Sequence, residues 1–128
     1  MQQTDEILSL LREKYKQVDY LMSYTKEMEK IAGMDDPEGF GAVLAMRQTT
    51  MDRIDQLNVN ISKVLAGMDG KSKEKIKRIL ESKAEPAELG DQLETDIFNT
   101  NRITMQLLQR VADLDSDVNK KVRREEQD

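Results

Sequence analysis

Carboxylates are the residues of this chain with the clearest capacity for chemistry. Glu85, Glu88, Asp91 and Glu94 follow one another closely, a spacing that can gather acidic side chains around a metal ion. Di-iron bundles, however, combine such glutamates with histidine, and the chain has no histidine and no cysteine. A Ca²⁺ loop needs alternating acidic ligands around a glycine, and the segment Met68-Asp-Gly-Lys-Ser72 is too short and turns basic. We therefore expect no metal site and no other cofactor.

The residue types also argue against catalysis. Without histidine and cysteine, the chain has neither an imidazole base nor a thiolate nucleophile. It has no glycine-rich phosphate loop and no Gly-x-Ser-x-Gly motif. We expect a protein that is not an enzyme, whose function lies in the surfaces that it offers to partners.

Length and charge limit the classes of protein that remain. The chain has 128 residues, which fits a single domain over residues 1–128, and a net charge of −5. Nucleic acid is not the expected partner, because a phosphate backbone requires clustered cations. The N-terminus has no basic region followed by an apolar run, so no signal peptide is predicted. No stretch of the chain reaches the roughly 20 apolar residues that span a bilayer. We expect a cytoplasmic protein that does not insert into a membrane.

Proline and glycine divide the chain into helical segments. Pro37 and Pro86 each follow an acidic residue and precede an amphipathic run, as at the first turn of a helix. The pattern predicts helices over residues 4–32, 37–66, 72–82 and 88–124, with a polar end at 119–128 that frays. No segment shows the alternation of apolar and polar residues that is typical of a β-strand. The prediction is an all-α antiparallel bundle of three long helices and one short helix, which lies across one end or forms a part-length fourth member.

The last predicted helix carries two neighbouring apolar strips. The first strip steps by four and three residues through Leu93, Ile97, Thr100, Thr104, Leu107, Val111, Leu114 and Val118. The second strip runs beside it through Phe98, Asn101, Met105, Leu108 and Ala112. Together they exceed the width of about 100° that one packing partner requires. The helix therefore packs among several neighbours, or it keeps surface for a partner that binds later.

The other long helices show interruptions in their apolar faces. Tyr15 falls on the predicted buried face of the first helix, and Thr4 is its predicted N-cap. In the second helix, Arg47 and Asn58 lie on a seam with Leu44, Met51, Ile54, Ile61 and Leu65. Asn58 is expected to fix the register between helices, and Arg47 to cover apolar surface with its stem at the edge. The alternative for either residue is a role in binding.

A block of opposite charges surrounds the short helix. Residues 71–83 hold six basic and two acidic residues, whereas residues 85–96 hold five acidic residues and no basic one. Two interpretations are open. Either these are solvated faces that partly neutralise each other, or the basic segment is a docking patch for an acidic partner.

Methionine is frequent in this chain, with eight residues. Met34, Met46, Met68 and Met105 fall beside the apolar seams. Methionine adapts well to a partner helix because its side chain is flexible and polarizable, but it also fills gaps in loose cores. Both interpretations are open.

The order of the helices and their amphipathic sequence patterns resemble those of the FlgN-type flagellar export chaperones. The related FliT type is similar in size. The resemblance is carried by Glu6-Ile-Leu-Ser-Leu-Leu-Arg-Glu-Lys14, by Met51-Asp-Arg-Ile-Asp-Gln-Leu57, and by Asn99-Thr-Asn-Arg-Ile-Thr-Met-Gln-Leu-Leu108. The polar end of the chain is shorter than in that family, so the resemblance does not extend to a C-terminal tail.

The resemblance implies a cytoplasmic chaperone that binds the helical C-terminal region of hook-filament junction subunits and delivers them to the export apparatus. In that family the late helices hold the client. By position, the expected partner-binding residues are Phe98, Asn101, Ile103, Met105, Leu108 and Ala112. An alternative from another class is a helical scaffold that homodimerises and has no role in secretion.

Overall fold

The computed structural model describes the backbone of residues 2–127 and the side chains of residues 3–123. Four α-helices and a short 3-10 turn make up this part of the chain, which contains no strand. The elements are α1 (Gln2–Ala32), α2 (Pro37–Ala66), α3 (Gly70–Leu80), the 3-10 turn (Pro86–Glu88) and α4 (Gln92–Gln127). The predicted all-α fold of three long helices and one short helix is confirmed.

Three buried clusters define the lower, middle and upper thirds of the bundle. The lower cluster consists of Ile7, Leu8, Leu11, Ile61, Met68, Ile76, Ile79 and Ile97. The middle cluster consists of Val18, Leu21, Ile54 and Val111, and the upper cluster of Met28, Ala32 and Val118. Residue numbers rise from bottom to top in α1 and α4 and fall in α2. The long helices therefore run up, down and up, and each is antiparallel to the next in the chain.

Aspartate side chains fix where three helices begin. Each accepts a hydrogen bond from the backbone N–H three residues further on, which is the N-cap arrangement. The bonds measure 3.0 Å at Asp36, 3.0 Å at Asp69 and 2.8 Å at Asp91. Asp36 confirms the predicted start of α2, whereas α3 and α4 begin elsewhere than predicted because Asp69 and Asp91 cap them. Thr4 lies inside α1 rather than at its cap.

The first strip forms the buried face of α4, as predicted. Ile97, Thr104, Val111 and Val118 are buried, and the remaining four members are half-buried. One prediction for α1 is wrong. Tyr15 is 37% exposed, because it lies at the outer edge where α1 meets α4.

The longest helix, α4, continues past the polar residues predicted to fray and is helical through Gln127. Near its end, Lys121 lies 3.4 Å from Glu29 of α1, and Val122 packs on the upper cluster. Asp128 is outside the described residues. Among the helices that are described, none combines the length and apolar character needed to cross a membrane.

Candidate functional site

The short helix α3 lies between α2 and α4 in the lower third of the bundle and contacts both. Lys75 lies 2.8 Å from Glu94. Further along both helices, the Asn101 side chain of α4 donates to the carbonyls of Ile79 and Leu80 at 3.3 Å and 3.4 Å. These contacts show that α3 climbs in the same direction as α4. Of the two placements predicted for the short helix, the part-length fourth member is the observed one.

The chain leaves this position directly after α3. Ser82 has a φ of 60°, the left-handed conformation, so the helical path of α3 does not continue, and the loop beyond it leads through the 3-10 turn to the start of α4. The loop that follows is held by Arg78, whose guanidinium lies 3.1 Å from the Glu88 carboxylate and 3.1 Å from the Lys83 carbonyl. The row that α3 begins therefore ends at the level of Asn101.

Above α3, the space between α2 and α4 is an open groove. The two helices are further apart from each other than each is from α1. Met51 of α2 and Leu108 of α4 are half-buried and pack on the middle cluster, so they form the groove floor. At the edges, Leu44 is 45% exposed and Met105 is 46% exposed. We call this the upper groove.

The structure distributes the six expected partner-binding residues over three places. Phe98 and Asn101 lie beside α3, where Phe98 packs on the lower cluster and Asn101 is buried. Ile103 is 41% exposed and lies beside Tyr15. It is on the flank of α4 opposite to Met105, because residues two apart in sequence are about 200° apart around a helix. The three that lie along the upper groove are Met105, Leu108 and Ala112.

Asn101 therefore has a role within the fold. Its side-chain amide donates to the last carbonyls of α3, which have no partner within the helix, although the Ile79 carbonyl also accepts from the Ser82 N–H at 3.1 Å. Its place in the second strip is explained by this internal contact with α3. For all six residues, partner binding stays a prediction, and Met105, Leu108 and Ala112 are the three that lie along the upper groove.

Arg47 crosses the floor of the upper groove. Its Nη2 lies 3.0 Å from the Asp115 carboxylate of α4, and its Nε donates to the Thr25 hydroxyl of α1 at 3.2 Å. Arg47 thus links all three long helices, a larger role than the predicted cover at an edge. Asn58 is exposed, so the prediction that it fixes the register between helices is wrong.

The spacing of Leu44 and Met51 predicts core positions on the seam of α2, but in the structure both residues lie along the upper groove. The signal that identifies them is a row of residues seven apart, which begins at Leu44 and continues through Met51 to Asn58. This row contains the exposed Asn58 before it reaches the half-buried Leu65, whereas the parallel row of Arg47, Ile54 and Ile61 stays covered. A heptad row that becomes polar marks the outer edge of a helix face.

The charged block around α3 is partly paired with itself, through three of its six basic residues. Lys75 pairs with the buried Glu94, and Arg78 pairs with Glu88. The hydrogen bond to Glu94 raises the pKa of the Lys75 ammonium, and the nearby charge of Asp91 adds to this effect. This supports the interpretation of mutual neutralisation. Within the described residues, the acidic side chains form no group that could hold a metal ion.

Comparison with known proteins adds no family to this geometry. No protein-family model, no curated protein and no solved structure matches the chain. The interpretation of the upper groove therefore rests on the residues that line it and on the resemblance noted in the sequence.

Proposed function

We propose that this protein is a non-enzymatic chaperone that holds an amphipathic helix of another protein in its upper groove. One observation carries the proposal: α3 fills the space between α2 and α4 only up to Asn101. Lower down, α3 fills the space between α2 and α4. Above that level, the same space is lined by the half-buried Met51 and Leu108 and by the exposed Met105.

The dimensions and side chains of the groove suit a helix. Residues 102–119 of α4 lie above α3, and 18 residues at 1.5 Å each give a length of about 27 Å. A partner helix buries anchors at positions i, i+3, i+4 and i+7 against such a surface. Met51 and Met105 can adapt to anchors of different shape, because methionine is flexible and polarizable.

The resemblance to FlgN-type chaperones suggests the client. We propose that the groove holds the helical C-terminal region of a hook-filament junction subunit in the cytoplasm, before delivery to the export apparatus. The features that support this are the order of the helices, the segment Asn99–Leu108 and the position of the groove along the late helix α4.

The test compares two glutamate substitutions on α4. Met105→Glu places a charge at the groove edge, and Ile103→Glu places the same charge on the opposite flank at a residue of similar exposure. We expect Met105→Glu to weaken binding of a labelled junction-subunit helix at least tenfold in fluorescence anisotropy. Ile103→Glu should bind as the wild type does, and circular dichroism should show both variants fully helical.

Equal binding by the two variants would show that the upper groove is not the client site. A second outcome would favour the scaffold function instead. If Met105→Glu only converts a dimer to a monomer in sedimentation, and junction subunits bind neither it nor the wild type, the groove is a homodimer interface with no secretion role.

A further inference from the structure

The upper groove has a polar point in its otherwise apolar floor. Asp115 follows Leu108 by seven residues, so the two lie in one row of α4. On α2, Arg47 lies one turn from Leu44 and one turn from Met51, which are the groove residues of that helix. The pair of Arg47 and Asp115, joined at 3.0 Å, therefore stands between apolar groove residues below and above it.

The hydrogen-bonding groups of this pair are satisfied only while water reaches them. A guanidinium carries five N–H groups, and the contacts with Thr25 and Asp115 use two of those of Arg47. The side chains of Arg47 and Asp115 remain 14% and 34% exposed, and neither has a buried polar atom without a partner. The remaining N–H and carboxylate groups are therefore open to water in the free protein.

A helix that fills the upper groove removes this water. A purely apolar helix would leave N–H groups of Arg47 and a carboxylate oxygen of Asp115 without partners, and burying unpaired polar groups is unfavourable. A polar side chain opposite the pair replaces the lost water. Since the charges of Arg47 and Asp115 cancel, the side chain that fits is neutral and both donates and accepts, as the amide of glutamine or asparagine does.

The interface that α3 makes with the same two helices combines apolar and polar contacts in this way. Its apolar anchors are Ile76 and Ile79, each only 2% exposed in the lower cluster. Two polar contacts accompany them: the Asn101 amide donates to the Ile79 carbonyl at 3.3 Å, and Lys75 pairs with the buried Glu94 at 2.8 Å. The occupied part of the space between α2 and α4 thus shows that a helix there needs polar partners as well as apolar anchors.

We infer that the occupant of the upper groove is an amphipathic helix of another protein whose apolar stripe contains one glutamine or asparagine opposite Arg47 and Asp115. Continuity with the α3 interface specifies a helix. The amide lies about four positions along this helix from the anchor on Met51, because Arg47 is one turn from Met51 on α2. One polar residue in an apolar seam fixes the register of packed helices. The inference rests on the proposed function and adds the chemistry and register of the partner.

The experiment uses the full-length protein and designed helical peptides of 18 residues, labelled for fluorescence anisotropy. Two peptides share one leucine and methionine stripe, except that the position opposite Arg47 and Asp115 is glutamine in one and leucine in the other. We expect the glutamine peptide to bind about fivefold more tightly, although leucine is the more hydrophobic residue. A third peptide, with the glutamine moved seven residues along the stripe, should lose this advantage, because sliding by that distance takes anchors out of the groove.

Two double variants test whether Arg47 and Asp115 cause the preference. Arg47→Met with Asp115→Leu replaces the ion pair by apolar side chains, which folded proteins often tolerate, and should reverse the preference toward the leucine peptide. Lys121→Met with Glu29→Leu removes an ion pair between α1 and α4, away from the groove, and should leave the preference in place. Circular dichroism checks the fold of both variants. If the groove variant does not fold, the three peptides on the wild type decide.

The inference is overturned if the glutamine and leucine peptides bind the wild type equally, if leucine binds more tightly, or if neither peptide binds. It is also overturned if a folded groove variant keeps the glutamine preference, if the Lys121 and Glu29 variant loses it, or if sedimentation shows the groove closed by a second copy. Binding of a junction subunit is measured separately with Met105→Glu, so the proposed function can survive the loss of the glutamine preference.

Discussion

Arg47 and Asp115 lie 3.0 Å apart, joining α2 to α4 across the floor of the upper groove. The same guanidinium is anchored on α1 through Thr25, whose own hydroxyl donates to the carbonyl of Leu21 at 2.7 Å. Since α2 and α4 make few other direct contacts, this pair fixes the distance between the two walls of the groove. The groove is thus held open by a specific polar link between the middle and upper clusters.

Removing Arg47 should destabilise the bundle. In Arg47→Ala, Asp115 loses its cation and Thr25 loses a donor, so we expect a loss of about 1.5 kcal/mol in the free energy of unfolding. Urea unfolding followed by circular dichroism measures this loss. A double-mutant cycle with Asp115→Asn should give a coupling energy of about 1 kcal/mol. The exposed Arg53→Ala is the control and should change stability by less than about 0.5 kcal/mol.

Asn101→Ala should loosen α3 without unfolding the bundle. The substitution removes the two hydrogen bonds to the carbonyls of Ile79 and Leu80, at a cost of about 1–2 kcal/mol. Hydrogen exchange should therefore be faster at the α3 amides than in the wild type. Asn99→Ala, an exposed amide on the same helix, is the matched control. Faster exchange in both variants would argue against a specific cap.

Lys14→Met should stabilise the protein. Lys14 falls on the buried row of α1 between Leu11 and Val18, it forms no ion pair among the described residues, and burial lowers the pKa of its ammonium. Methionine has a similar length and no charge to desolvate. We expect a gain of about 1 kcal/mol, or ~3 °C in Tm by differential scanning calorimetry.

The pH dependence of the stability gained in Lys14→Met tests whether burial of the lysine charge is its cause. A lysine whose folded pKa is lowered destabilises the fold while it is protonated, and this cost disappears as pH rises toward its ordinary value of 10.5. The advantage of Lys14→Met over the wild type should therefore shrink between neutral pH and about pH 10.5. An advantage that grows with pH would contradict burial as the cause.

Lys75 should show the opposite dependence. The hydrogen bond to Glu94 raises the Lys75 pKa, so the stabilisation from this pair is fully present below 10.5 and is lost as pH rises through the raised value. Lys75→Met should be less stable than the wild type at neutral pH, and the difference should vanish in strong alkali. Lys77→Met, an exposed neighbour, controls for the general loss of charge, and urea unfolding across pH measures both.

Local patterns predicted the elements of this fold well. Asp36 followed by Pro37 marks the start of α2 because a carboxylate cap and a proline at the first turn both act within one turn of the helix. The first strip of α4 was also predicted, because its buried positions repeat along one helix. Such signals need no knowledge of the neighbouring helices.

The assignments that failed depend on which flank of a helix meets a neighbour. Asn58 and Arg47 lie on the same predicted seam of α2, but only Arg47 is placed to reach Thr25 and Asp115. Ile103 and Met105 are close in sequence and lie on opposite flanks of α4. A periodicity identifies a face and not its partner, so the place of α3 and the groove above it became clear only from the structure.

The left-handed turn at Ser82 bears on whether α3 itself could occupy the upper groove. If α3 continued upward instead of turning, it would fill the upper groove itself. A segment tethered in this way reaches an effective concentration on the order of millimolar, which would exclude most free helices. Ser82, at φ 60°, follows the end of α3, and we expect an insertion that lengthened α3 to cover the upper groove with a fourth helix of the same chain.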